Sequence, residues 1–149
     1  EYRPRPSVET LSNAMDVGNP SNLERIRALF NDSPVDLRAR CSAWSYTDDA
    51  TREAMRRVYD RFGYVLDPHG AVAFLGLEQL RAVSRQHFTG IVLATAHPAK
   101  FPDAYDAEMR AAIETPARLQ DALAGEKQAI RLSPAFEEFK GFLMGMELS

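Results

Sequence analysis

The sequence predicts an α/β fold, with helices packed on a small, mostly parallel sheet, and three observations carry that expectation. The first is the run Gly90-Ile91-Val92-Leu93-Ala94-Thr95, apolar, partly β-branched and closed by His97 and Pro98. A run of this length bounded by turn signals reads as a buried, parallel strand. The second is helical periodicity on both sides of that run, with four of the helices preceded by a capping signal at Ser21, Thr47, Asp67 or Ser133. The third is a pair of shorter extended stretches, Arg38 to Tyr46 and Lys127 to Leu132. Helices alternating with short strands indicate α/β.

In chain order, residues 1 to 20 hold Pro4, Pro6, Gly18 and Pro20 and read as looped backbone. Ser21-Asn22-Leu23-Glu24 matches a capping box, in which the serine hydroxyl caps the N3 amide and the N3 glutamate reaches back. A helix from Asn22 to about Phe30 follows, with Leu23, Ile26, Leu29 and Phe30 at helical spacing, and Asn31-Asp32-Ser33-Pro34 stops it. Arg38 to Tyr46, with Cys41, Trp44 and Tyr46, alternates loosely as a short strand. Thr47-Asp48-Asp49 opens a second helix whose two acids complement the helix dipole, and Gly63 ends it as a left-handed cap. Tyr64 to Leu66 is an extended bridge. Asp67-Pro68 then supplies an N-cap acid and a proline at the first helical position. This third helix is apolar nearly all round in its first half, Ala71 to Leu75, which predicts burial. Beyond the 90 to 95 strand come a fourth helix from Asp103 to Arg110, a fifth from Pro116 to Ala124, the short strand 127 to 132, and a final amphipathic helix capped by Ser133-Pro134 and running to about Met144.

Composition bounds the function. The chain has 149 residues, 45% of them hydrophobic, enough for one core, and a domain of this size buries roughly 70% of its unfolded surface. A net charge of -3 gives no basic footprint for nucleic acid, so none is expected as a partner. Cys41 is the only cysteine, which rules out an internal disulfide and fits a reducing, cytoplasmic setting. No apolar run approaches the roughly 20 residues that span a bilayer, so no membrane is expected either. The irregular opening Glu1-Tyr2-Arg3-Pro4-Arg5-Pro6 is no signal peptide and reads as the start of a segment of something longer.

Motifs for dinucleotide, P-loop, zincin and nucleophile-elbow sites are absent. His69, His87 and His97 lack metal-ligand spacing on one helix, so no metal site is expected. Thr95, at the carboxyl end of its strand, lies where open α/β sheets hold ligands. On these grounds alone the function stays open.

Three stretches carry a resemblance. Thr95-Ala96-His97-Pro98-Ala99-Lys100-Phe101 resembles the TAHPAKF motif of threonine synthases, pyridoxal-phosphate enzymes that convert O-phosphohomoserine and water to threonine and phosphate. Met15-Asp16-Val17-Gly18-Asn19-Pro20-Ser21-Asn22 is similar to the family's MDVGNPSN, and Asp67-Pro68-His69-Gly70-Ala71-Val72-Ala73 to its DPHTAVA. The matches span roughly residues 10 to 105, and the tail is compatible with the family. Gly70 stands where the family has a hydroxyl residue and Ala94 where serine is common, which puts hydrogen bonds at both places in doubt.

The resemblance implies a chain that forms the C-terminal part of such an enzyme, within the large domain of a tryptophan-synthase-β-like fold. The family's Schiff-base lysine, in an SFKD-like motif, and its cofactor-phosphate loop both lie toward the amino-terminal side. Neither occurs here, and Lys100, Lys127 and Lys140 have the wrong neighbours to replace that lysine. The partners implied are therefore O-phosphohomoserine and the remainder of the same polypeptide, and residues 1 to 149 alone are expected to be inert. In this branch a hydroxyl, not a carboxylate, faces the pyridine nitrogen, and Thr95 is the matching position. Ser21, Asn22 and Arg25 sit at a helix start that favours anions, which fits either a plain capping box with a solvated arginine or a substrate-phosphate contact. Lys100 is a further candidate for a substrate phosphate or carboxylate. Asp67 and His69 are expected to fix the start of their helix near the site, and His97 to orient the loop after Thr95. The alternatives are a threonine dehydratase or cysteine synthase relative, and a noncatalytic binding module.

Overall fold

The structure, a computed structural model, describes residues 2–13 and 16–145, and it is helical: no strand occurs among the described residues. Ala14 and Met15, the latter opening the MDVGNPSN-like stretch, lie outside them. The helices are α1 (Leu23–Leu29), α2 (Pro34–Arg40), α3 (Asp48–Phe62), α4 (Pro68–Val83), α5 (Ala107–Ala111), α6 (Ala117–Ala124) and α7 (Phe136–Gly145), with single 3-10 turns at Pro98–Lys100 and Pro102–Ala104. The backbone divides into two compact units, residues 1 to 114 and 115 to 149.

The core of the first unit is built on α3. Thr51, Ala54, Met55 and Val58 recur at i, i+3, i+4 and i+7 and are its buried stripe. Thr47 caps the helix by accepting from the Ala50 amide at 3.2 Å, and Gly63 closes it at φ 62°, ψ 17°, with its amide on the Tyr59 carbonyl. Only glycine takes that left-handed conformation without a Cβ penalty. Leu66, Ala71, Ala104, Tyr105 and Met109 complete the core. An ion pair between Arg57 and Glu78 joins α3 to α4, and Arg52 Nη1 donates to the Ala104 carbonyl at 3.1 Å.

Several sequence expectations need correction. The capping box at Ser21 does not form: Asn22 is the N-cap, at φ -81°, ψ -2°, and makes no side-chain cap bond. A cap residue must be extended to aim its side chain at the N2 and N3 amides, and Asn22 is already helical. Arg38 to Arg40 belong to α2, whose cap is Ser33, accepting from the Asp36 amide at 3.2 Å ahead of Pro34. The left-handed Asn31 and Asp32 turn the chain between α1 and α2, where Asp32 N–H reaches the Arg27 carbonyl at 2.8 Å. The fourth helix is split, because Tyr105 is extended (φ -113°, ψ 148°) and turned into the core, and Asp106 starts α5 afresh by accepting from the Met109 amide at 2.9 Å. Only Pro68, Gly70 and Ala71 of the first half of α4 are buried; Ala73 is exposed.

The sheet is the largest correction. Residues 38 to 46, 90 to 95 and 127 to 132 form no ladder. Extended backbone needs a partner for its amides and carbonyls to become a sheet. In the second unit Pro116 is the N-cap of α6, Ile130 is exposed, and the Ser133 amide and hydroxyl bond the Glu138 carboxylate ahead of α7. Phe136, Phe139 and Leu143 of α7 are exposed. Among the described residues no helix is long and apolar enough to cross a membrane.

Candidate functional site

Residues 90 to 95 take no regular secondary structure and Ala96 is a bend, with Gly90 against α4. A Cβ at Gly90 would lie 2.3 Å from Leu77 Cδ1, so glycine is what lets the backbone approach so closely. Ile91 is 83% exposed and Leu93 74%, with Val92 half-buried between them. The expected burial of this run is therefore absent. At its end Thr95 is exposed, and its hydroxyl has no hydrogen-bond partner among the described residues.

The next residues fold tightly. His97 is extended (φ -94°, ψ 136°) and caps the turn Pro98–Lys100, its Nδ1 accepting from the Ala99 amide at 3.2 Å. Lys100 N–H donates to the His97 carbonyl at 3.0 Å and Phe101 N–H to the Pro98 carbonyl at 2.9 Å. Phe101 packs on the core beside α4.

At the start of α4, Asp67 is buried, with a side chain 2% exposed. Its Oδ1 accepts from the Gly70 amide at 3.2 Å, and its Oδ2 accepts from the His69 amide at 3.1 Å and faces His69 Nδ1 at 2.8 Å. The His69 ring meets the Phe101 ring with centroids 5.2 Å apart at 57°. Tyr105 donates its hydroxyl to the Leu66 carbonyl at 3.2 Å; burial, and then the charge of Asp67, push that phenol well above its usual range. Two stretches nearly thirty residues apart in sequence, Leu66–Gly70 and Pro98–Tyr105, thus meet.

Lys100 lines an open cleft of about 290 Å³ together with Arg52, Thr10, Asn13 and Asp103. Behind it the Asp16 carboxylate accepts from the Thr10 amide at 2.7 Å and hydroxyl at 2.6 Å, and Asp48 accepts from the Leu11 amide at 3.2 Å. Nearby in sequence, Gly18 is needed for a close approach, since a Cβ there would lie 1.8 Å from the Arg5 carbonyl oxygen. Ser21, Asn22 and Arg25 are exposed at the start of α1 and do not line this cleft. The structure therefore brings Asp67 and His69 to the turn that carries His97 and Lys100, and leaves Ser21, Asn22 and Arg25 apart.

Sequence reading missed the parts played by Arg52 and Tyr105, and named Phe101 only as a motif residue. Arg52 carries only a local signal, that of a cation later in a helix opened by acids, whereas its partner Ala104 is 52 residues away. Tyr105 is disguised by the helical composition of its neighbours. Among the described residues no group of three or more His, Cys, Asp or Glu side chains could hold a metal ion. Arg56 is held as a cation far above its usual range by Asp60, Glu108 and Asp106, and is spent on tying α3 to α5.

The family model described as "Threonine synthase, C-terminal" matches residues 70–143, so the likeness extends well past residue 105 into the tail. Threonine synthase of Buchnera aphidicola (subspecies Acyrthosiphon pisum) is 33% identical over 143 residues, 96% of this chain and 32% of that protein. That of Serratia marcescens is 34% identical over 148 residues, covering 98% and 33%. The crystal structure of threonine synthase from Escherichia coli superposes with a TM-score of 0.77 at 29% identity, over 97% of this chain and 32% of that one. A pyridoxal-phosphate-bound threonine synthase from Brucella melitensis gives 0.68 at 29%, over 95% and 35%. The chain spans about a third of the length of these relatives. It belongs to the threonine synthase family and corresponds to that family's C-terminal region.

Proposed function

We propose that this chain is the C-terminal part of a pyridoxal-phosphate-dependent threonine synthase, converting O-phospho-L-homoserine and water to L-threonine and phosphate, with the Schiff-base lysine supplied by the preceding part of the polypeptide. The observation that carries the reading is the likeness over nearly the whole chain to threonine synthases, one of them solved with pyridoxal phosphate. The Thr95 hydroxyl, exposed and without a partner among the described residues, fits a donor held ready for an aromatic nitrogen.

When bound, the cofactor supplies an electron sink for proton removal beside the substrate's amino group. Thr95, facing the ring nitrogen, would moderate that sink. A hydroxyl donates to an unprotonated ring nitrogen, whereas a carboxylate would hold the nitrogen protonated and strengthen the sink. A moderated sink suits a reaction that must remove protons at two carbons before phosphate leaves and water adds. Lys100 and Arg52, on one cleft, are the cations suited to a substrate phosphate or carboxylate. Ser21, Asn22 and Arg25, exposed at the start of α1, are the further candidates for a substrate-phosphate contact, outside this cleft. The exposure of Ile91 and Leu93 supports a reading in which the preceding part of the polypeptide covers residues 90 to 95.

The test is turnover by the natural polypeptide that carries these residues. Activity on O-phosphohomoserine in preference to threonine or O-acetylserine is expected; preference for either of the latter would assign a dehydratase or cysteine synthase instead. Replacing Thr95→Asp should alter reaction partitioning more than cofactor loading, and unchanged kinetics would remove Thr95 from the site.

A further inference from the structure

Asp67 does more than cap α4. Both of its oxygens accept backbone amides, so the carboxylate acts as acceptor and the hydrogen facing it from the imidazole sits on Nδ1 of His69. That bond, with the carboxylate 2% and the ring 12% exposed, fixes the plane of the imidazole. The ring so fixed is the one tilted at 57° against Phe101, at a centroid separation of 5.2 Å, within the range favoured by aromatic pairs. Phe101 closes the Pro98–Lys100 turn with its amide, and its carbonyl accepts from Ala104 N–H at 3.0 Å. The turn is thus fastened at its first residue by His97 and at its last through Phe101 to α4. Gly70 belongs to the same arrangement. A Cβ there would lie 2.9 Å from Asp67 Oδ1, so the carboxylate packs directly over the Gly70 backbone.

We propose that His69 is a positioning residue for the Thr95–Phe101 segment: held by the buried Asp67 carboxylate, its ring is the seat against which Phe101 sets the turn that follows Thr95 and carries Lys100. Its kinetic consequence rests on the threonine synthase reading, and its structural consequence does not. The two are separated by measuring hydrogen exchange and turnover on the same variants of the natural polypeptide.

His69→Asn keeps a residue with a backbone amide at this position and removes the ring. Phe101→Leu keeps apolar volume and removes the other ring, and Phe101→Tyr restores it. In the first two, exchange of peptides spanning residues 95 to 101 is expected to accelerate roughly tenfold, with α3 residues 51 to 58 unchanged. In the same two, kcat falls about tenfold, as misplacement of a positioned group does, and KM for O-phosphohomoserine rises with the displacement of Lys100. Phe101→Tyr returns both readings to within about twofold of the original. Unchanged exchange over 95 to 101, acceleration shared equally by α3, or a Phe101→Tyr variant as impaired as Phe101→Leu would each overturn the proposal. An inactive original polypeptide would overturn the threonine synthase reading, and the exchange arm would still decide the role of His69.

Discussion

The α3–α4 region and residues 90 to 96 belong to the same compact unit, and their backbones meet opposite conditions. In the first, each helix start is capped by a named side chain, Thr47 or Asp67, and Met55 and Ala54 are closed off from solvent. In the second, Ile91 and Leu93 face outward and no ladder forms. A helix satisfies its own hydrogen bonds, so α3 needs only an apolar neighbour. A strand borrows its partners from elsewhere in the chain, and residues 90 to 96 have none among the described residues. The difference separates what these residues stabilise themselves from what, under the proposed function, another part of the polypeptide would complete.

The comparison breaks most visibly at the core. Met55→Ala removes a side chain 1% exposed and should cost about 2–5 kcal/mol, read as a lower urea midpoint at constant slope. Asp67→Ala comes next. It removes the acceptor for two amides and the His69 ring, and an expected loss of roughly 1–3 kcal/mol should appear in the same titration.

How much of this the sequence disclosed follows from the same contrast. Thr47, Gly63, Asp67 and Pro68 are local signals with local consequences, and they mark the ends of α3 and the start of α4. Ser33-Pro34 carries the same signal as Asp67-Pro68, and it begins α2, although the expected strand over 38 to 46 ignored it. Ser21-x-x-Glu24 matched in letters and failed in backbone, because the residue after Ser21 is itself helical. The seating of Phe101 on His69 joins residues 32 apart and has no local pattern to betray it. The strand expected over 90 to 95 rests on an apolar, β-branched run bounded by turn signals, and none of these says whether a partner is present. The motif residues Thr95 to Phe101 were legible by family likeness, and the turn that His97 caps gives them their local shape.

A third variant sharpens the contrast at the edge of the core. The Met109 amide holds the Asp106 carboxyl below its usual range against an opposing desolvation, with Arg56 adding to the lowering. A depressed folded pKa contributes stability above the unfolded value and loses it as pH falls through the folded one. The stability gap between the original chain and Asp106→Ala should therefore narrow as pH drops below about 4, where the unfolded carboxylate titrates. A gap independent of pH would remove the charge from the cap's action. The smallest effect is expected at the other pole. Thr95→Ala, exposed and unpartnered among the described residues, should change stability by less than about 0.5 kcal/mol while lowering turnover of the natural polypeptide.

The most direct test of the account is hydrogen exchange at Ile91, Val92 and Leu93, measured in residues 1 to 149 alone and again in the natural polypeptide that carries them. Exchange near the unprotected rate in the first and strong protection in the second, with α3 protected in both, is the result predicted for a segment completed by another part of the polypeptide. Equal exchange at these three amides in both would contradict it.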